Sequence, residues 1–179
     1  MRALALALAL LACAPGMAQQ DEPPNGVLLV AKRGLDDPNF GRSVVLATHS
    51  KDGHTLGVIL NRPTRVEHKG APLWYGGPVM NQVVIALYRD EATPAAPAFH
   101  VLKHVYLSMH PENVDAVIAR KEPPFRLYSG FSAWSPGQLQ GELERDAWHV
   151  LPADESTVFR QSTESLWEDL VTKAETPGT

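Results

Sequence analysis

The stretch Gly130-Phe131-Ser132-Ala133-Trp134-Ser135-Pro136-Gly137-Gln138-Leu139-Gln140-Gly141-Glu142-Leu143 constrains this chain most, because several local rules place a helix start at one residue. Ser135 has N-cap chemistry, Pro136 suits the first helical position where no N–H is needed, and Gln138 completes a capping box. Trp134 and Leu139 are spaced to form a hydrophobic staple, and Leu139 and Leu143 continue one apolar face. Upstream, Phe125-Arg126-Leu127-Tyr128 is short, aromatic-rich and alternating, so the chain is expected to enter this junction as a strand and leave as a helix. Such a junction turns free N–H groups and a positive dipole end outward, a geometry that suits an anion. Most helix starts nevertheless bind only water or a neighbouring loop.

At 179 residues the length suits one domain. Apolar residues make up 44% and charged residues 20%, enough for a packed core. The formal charge is -4 and no basic stripe exists, since Lys32-Arg33 and Arg120-Lys121 are isolated pairs. Nucleic acid is therefore disfavoured as a partner. Met1-Arg2 and the Ala/Leu run that follows read as an export signal, too short to span a bilayer. Two exits compete: cleavage after Ala18, leaving Gln19 first, or lipidation of Cys13 after Leu10-Leu11-Ala12, with residues 1–12 removed. The expected compartment is the envelope, periplasmic or lipid-anchored, and a membrane enters only through that anchor. A start at Met17 would instead make the protein cytoplasmic. The lone cysteine forms no intramolecular disulfide.

Residues 19–25 read as a flexible lead-in, 26–171 as the folded domain and 172–179 as a tail frayed from Thr172. Gly26–Ala31, Ser43–His49 and Thr55–Asn61 are expected strands, the last two joined as an antiparallel hairpin. Phe40 is expected to plug the core. Arg62-Pro63 ends the third strand, and Thr64–Pro72 reads as a polar excursion. Val83–Tyr88, Phe99–Leu102 and Val105–Leu107 are further strands, Pro111 opens a helix through about Arg120, and Ala147–Leu151 returns as a strand. A short helical turn follows near Glu155. Ser162 or Thr163 is expected to cap a last helix carrying Leu166, Trp167, Leu170 and Val171 on one side. Hairpins early and helices late argue for an α+β fold.

Seven histidines raise the question of a metal. His100 and His104 have helical spacing but sit among strand formers, where that spacing separates them by about 13–14 Å. No His-Glu-x-x-His pattern or cysteine cluster exists, so neither a metal nor a cofactor is expected. Ser108 near His110 lacks a nucleophile elbow. Gly76-Gly77 is no phosphate loop, and a tight turn explains it. Arg62, at a strand end, can fork onto a carboxylate, a phosphate or a row of backbone carbonyls. A structural clamp to Asp36 or Asp37 is the expected use.

Five ordered blocks carry a resemblance: Asp37-Pro38-Asn39-Phe40-x-Arg42-Ser43-Val44, Gly57-Val58-x-Leu60-Asn61-Arg62-Pro63, Tyr75-Gly76-Gly77-Pro78-Val79, Tyr106-Leu107-Ser108 and Trp134-Ser135-Pro136-Gly137-Gln138-Leu139. In these the chain resembles the bacterial YqgE/AlgH family from about Gly26 to Trp167. The resemblance implies a bifurcated, mostly antiparallel β-sheet folded into a pseudo-barrel with flanking helices. It implies no established reaction. Tyr88 stands where relatives usually carry histidine, which puts in doubt any activity resting on that imidazole. The expected function is a non-enzymatic envelope domain that binds a protein or small anionic ligand over Asn61, Arg62, Gly76, Gly77, Ser135, Gly137 and Gln138. A cytoplasmic regulator starting at Met17 and a hydrolase using Ser108 or a histidine are the alternatives.

Overall fold

The computed structural model describes residues 23–176, so the expected export signal, Cys13, residues 19–22 and the last three residues of the expected tail lie outside the described residues. The chain runs β1 (Val27–Ala31), β2 (Val44–His49), β3 (Thr55–Ile59), β4 (Pro63–His68), β5 (Ala71–Tyr75), β6 (Val79–Arg89), β7 (Phe99–Leu102), β8 (Val105–Ser108), α1 (Pro111–Arg120), β9 (Phe125–Trp134), α2 (Gln138–Glu144), β10 (Trp148–Pro152), α3 (Glu155–Val158) and α4 (Leu166–Glu175). Ten strands form one sheet in the order β10-β1-β2-β3-β9-β6-β8-β7, with β5 and then β4 branching from β9. Every pairing is antiparallel except β5 with β9. This is the expected α+β, bifurcated sheet, curled into a half-barrel. The curl brings the far edge back toward the start: the Asn25 and Gly26 N–H groups donate to His100 and Val101 carbonyls on β7, at 3.3 and 2.9 Å. Asn25, expected in the flexible lead-in, is thus fastened, and its side chain also holds the His49 carbonyl at 3.1 Å.

β9 is the strand where the sheet divides. Its first half pairs with β5 on one side, its second half (Ser132–Trp134) pairs with β3 on that same side, and β6 lines the other. The chain leaving β5 must therefore cross β9 to reach β6, and Gly76-Gly77 makes that crossing. A Cβ on Gly76 would overlap the Gly130 carbonyl, and one on Gly77 the Phe131 carbonyl, so only glycine lets the backbones approach this closely. Opposite the crossing, Gly130 bends β9 at φ 68°. β6 answers with an irregularity between Val79 and Val84.

Alternation along the strands divides the core between two faces. Ile85 and Leu87 join the main core with β1, β2, β3 and α4, while Ala86, Tyr88 and Leu127 pack under Val114, Val117 and Ile118 of α1.

Four expectations need correction. The polar stretch after Arg62 is the β4–β5 hairpin, closed by Lys69-Gly70 at φ 50° and 77°, the two left-handed residues that a tight hairpin turn requires. Its strand pattern was hidden because β4 is an edge strand exposed on both faces. The junction at Ser135 starts its helix two residues later than the capping rules place it. Gly137, at φ 80°, precedes the first helical residue Gln138, and no side chain caps it. Ser135 closes a turn instead, its carbonyl accepting the Gln138 N–H at 3.0 Å. Finally, α4 starts after Ser165 rather than at Ser162 or Thr163, and it continues to Glu175, through the residues expected to fray from Thr172.

Candidate functional site

At the end of β3 the ladder with β2 is prolonged by a side chain. Asn61 Oδ1 accepts the Val44 N–H at 3.0 Å, and its Nδ2 donates to the Arg42 carbonyl at 3.0 Å. Beside it, Arg62 Nη2 donates to the Gly41 carbonyl at 2.7 Å. Arg62 is therefore the backbone clamp of the 34–43 loop, and neither Asp36 nor Asp37 is its partner. Asp37 serves the loop itself, its Oδ1 taking the Asn39 and Phe40 N–H groups at 2.8 and 2.9 Å. The loop ends at Arg42, a non-glycine residue held at φ 58°. That left-handed conformation costs a non-glycine residue about 1–2 kcal/mol, and Asn61 is what holds it.

The Arg42 guanidinium lies 4.7 Å from the centre of the Trp167 ring. The indole is itself fixed by its N–H to the Ala31 carbonyl at 2.7 Å. Arg42, Asn61, Arg62, Pro63, Thr163 and Trp167 share with Glu164 and Glu168 a pocket of about 250 Å³. The two carboxylates take their hydrogen bonds elsewhere, Glu168 from Arg33 at 2.7 Å and Glu164 from the Ser162 hydroxyl at 2.5 Å, although Glu168 also feels the charge of Arg42. Hydrogen bonds from those partners hold both carboxyls below their usual range. A guanidinium carries five N–H donors. Arg62 uses its Nη2 on Gly41, and Arg42 donates to no acceptor among the described residues. Two fixed cations with spare donors at one opening suit a carboxylate or phosphate.

The other expected site residues divide. Gly76 belongs beside Arg62, since its carbonyl accepts the Ile59 N–H at 3.0 Å and the Tyr75 N–H donates to the Arg62 carbonyl at 2.9 Å. Both Gly76 and Gly77 are buried, so they place Arg62 and present no surface of their own. Ser135, Gly137 and Gln138 lie at the opposite end of β3, because Trp134 pairs with Thr55, six residues before Asn61. At about 3.3 Å per residue that is some 20 Å away. They form a corner, not a part of the Arg42 pocket: Gln138 Oε1 takes the Ser135 N–H at 3.2 Å, and Glu142 Oε2 accepts the indole N–H groups of both Trp134 and Trp148 at 2.9 Å. Phe40 completes this corner, 5.8 Å from Trp134 and 5.6 Å from Trp148. Phe40 thus plugs the core as expected.

Ser108 is committed to structure. Its hydroxyl donates to the Pro97 carbonyl at 2.7 Å and accepts from Asn113 Nδ2 at 2.9 Å and the His110 N–H at 3.1 Å. His100 stacks on Tyr106, whereas His104 sits in the turn after β7 beside Glu91, so the two histidines face different neighbours. Burial pushes the Tyr88 phenol well above its usual range, and Asp90 adds to the effect.

Sequence reasoning missed Arg42 and Trp167 as pocket residues. Trp167 was visible only as part of an apolar helix face, and nothing local to Arg42 signals a left-handed backbone. Asn61 next to a strand end was the available clue.

Relatives in sequence and in structure identify the family and its fold. A model of the AlgH-like family matches residues 28–177. A UPF0301 protein of Mycobacteroides abscessus is 34% identical over 167 residues, covering 85% of this chain and 80% of its own. One of Mycobacterium tuberculosis is 35% identical over 170 residues, covering 85% and 83%. Among solved structures, a Corynebacterium diphtheriae protein superposes with a TM-score of 0.70 at 26% identity, over 89% of this chain and 92% of that one. The AlgH protein of Pseudomonas aeruginosa also gives 0.70, at 20% identity over 89% and 94%, which speaks to the fold. With the family match spanning nearly all described residues and the divided sheet shared with solved relatives, this chain belongs to the AlgH-like family.

Proposed function

We propose that this protein is a non-catalytic binding domain of the cell envelope that takes a small anionic ligand between Arg42 and Arg62. The observation that carries the reading is the pairing itself: Arg42 is held at φ 58° over Trp167, and Arg62 is fixed by one nitrogen on Gly41, at one pocket of about 250 Å³. A strained residue retained beside unused donors is what a preorganised anion site requires. The charged start and Ala/Leu run at Met1–Ala12 support the envelope assignment.

Arg42→Gly separates binding from stability. It removes the guanidinium, its contact with Trp167 worth about 0.5–1 kcal/mol, and a left-handed strain of about 1–2 kcal/mol, changes that partly offset each other. The expected outcome is a melting temperature within a few degrees of the parent, with the affinity for inorganic phosphate in calorimetric titration lost. Unchanged phosphate affinity in a folded Arg42→Gly protein contradicts the proposal. Intact mass of the protein from native cells tests the compartment, with a chain beginning at Gln19 or a lipidated Cys13 expected.

A further inference from the structure

A third arginine occupies a different environment. Arg126 of β9 is only 8% exposed. Its Nη1 donates to the Leu60 and Val158 carbonyls at 3.3 and 3.4 Å, and its Nη2 to the Arg160 carbonyl at 2.8 Å. The guanidinium carbon lies 4.0 Å from the centre of the Trp74 ring. Among the described residues no carboxylate reaches it within ion-pair distance. Carbonyl dipoles and a ring face ease the burial of this cation, but they leave its whole charge uncancelled.

Arg126 also lines a pocket of about 250 Å³, walled by Pro72, Trp74, Phe125 and Phe159. Apolar walls lower the local dielectric, so an anion entering here gains more from the guanidinium than it would at an exposed arginine. The same walls reward an apolar tail. We propose that this pocket binds a small organic monocarboxylate, its carboxylate on Arg126 and its apolar group between Trp74 and Phe159. The site is distinct from the Arg42 pocket: the walls are mostly aromatic and prolyl, with Gln161 among them, and the cation is buried.

A free acid and the C-terminal carboxylate of a peptide share this chemistry. Calorimetric titration of the full chain with benzoate, with neutral benzamide, and with the tripeptide Gly-Gly-Phe as free acid or amide separates them. Benzoate is expected to bind in the millimolar range, at least tenfold tighter than benzamide. Tripeptide acid binding tighter than benzoate, with its amide silent, assigns the source as a peptide terminus, whereas benzoate binding tighter assigns a free acid. Arg126→Gln should abolish binding. If that variant does not fold, Trp74→Leu, checked by circular dichroism, should weaken benzoate at least tenfold; both variants are read in the Arg42→Gly background, so that the first anion pocket does not contribute. Equal affinity for benzoate and benzamide, no binding by either carboxylate, or full affinity in folded Trp74→Leu overturns the proposal.

Discussion

Glu142 shows how much one exposed-looking side chain can organise. One carboxylate oxygen accepts two indole N–H groups, from Trp134 at the end of β9 and Trp148 at the start of β10, and so ties α2 to both strands. Both tryptophans are nearly buried, and an indole N–H left unpaired in such a place costs about 1–3 kcal/mol. Glu142→Leu is therefore expected to lose about 2–4 kcal/mol in urea unfolding, since two donors are orphaned together. Glu142→Gln keeps an acceptor oxygen and should lose less than half as much. Equal losses in the two variants would mean the carboxylate's charge, not its hydrogen bonds, holds the corner. Nothing in the sequence pointed to this role. Glu142 lies eight residues beyond Trp134 and six before Trp148, and only the return of β10 brings all three together. Asn61 and Arg62 were legible as a polar pair at a strand end, yet the partner was misassigned to Asp36 or Asp37. A guanidinium clamping a backbone carbonyl leaves no trace in the partner's side chain.

Among the elements, the crossing of Gly76-Gly77 over β9 decides the topology, because it lets one strand serve two branches of the sheet. At Gly77, φ is 150° and any side chain meets the Phe131 backbone, which has no room to yield in the middle of a sheet. Gly77→Ala is expected to destabilise by more than about 3 kcal/mol or to abolish soluble expression. Gly70→Ala, in an open hairpin turn at φ 77°, should cost only about 1 kcal/mol. Urea unfolding of both variants checks the contrast, and a mild Gly77→Ala would show that the branch point tolerates rearrangement. Buried strands such as β1, β2 and β3 were readable as apolar runs, and α1 by its opening proline. β4 was not readable, because an edge strand with both faces wet has no apolar alternation to show. The start of α2 was misplaced for a related reason: the capping residues are present, but Pro136 and the left-handed Gly137 extend a turn before helical pairing begins.

For the whole molecule, the carboxylates set the acid limit. A hydrogen bond from Arg33 holds Glu168 below its usual range, as one from Arg160 does for Asp169. Burial pulls Asp154 upward, but the Ser156 and Thr157 hydrogen bonds outweigh it and leave it lowered too. Groups with depressed folded values stabilise above their unfolded values, near 4, and lose that contribution as pH falls through the folded ones. The melting temperature is therefore expected to be flat from about pH 7 to 5 and to fall below about pH 4, with added salt shrinking the drop. A rise on acidification would contradict these pairings. At this scale the α+β class was legible from hairpins preceding helices. The curl of the sheet was implied by the family resemblance and not by any local pattern, since it depends on the 25–26 backbone meeting β7, a contact between segments some 75 residues apart. Likewise Ser135 and Arg62, expected on one ligand surface, lie at opposite ends of β3.

The central claim, that Arg42 and Arg62 form a preorganised anion site, is tested most directly by a heteronuclear NMR titration of the full chain with inorganic phosphate. The account predicts saturable shifts confined to the amides of Arg42, Asn61, Arg62 and Thr163 and to the Trp167 indole N–H, all absent in Arg42→Gly. Shifts centred instead on Ser135 to Gln138, or spread without saturation over the surface, would contradict it.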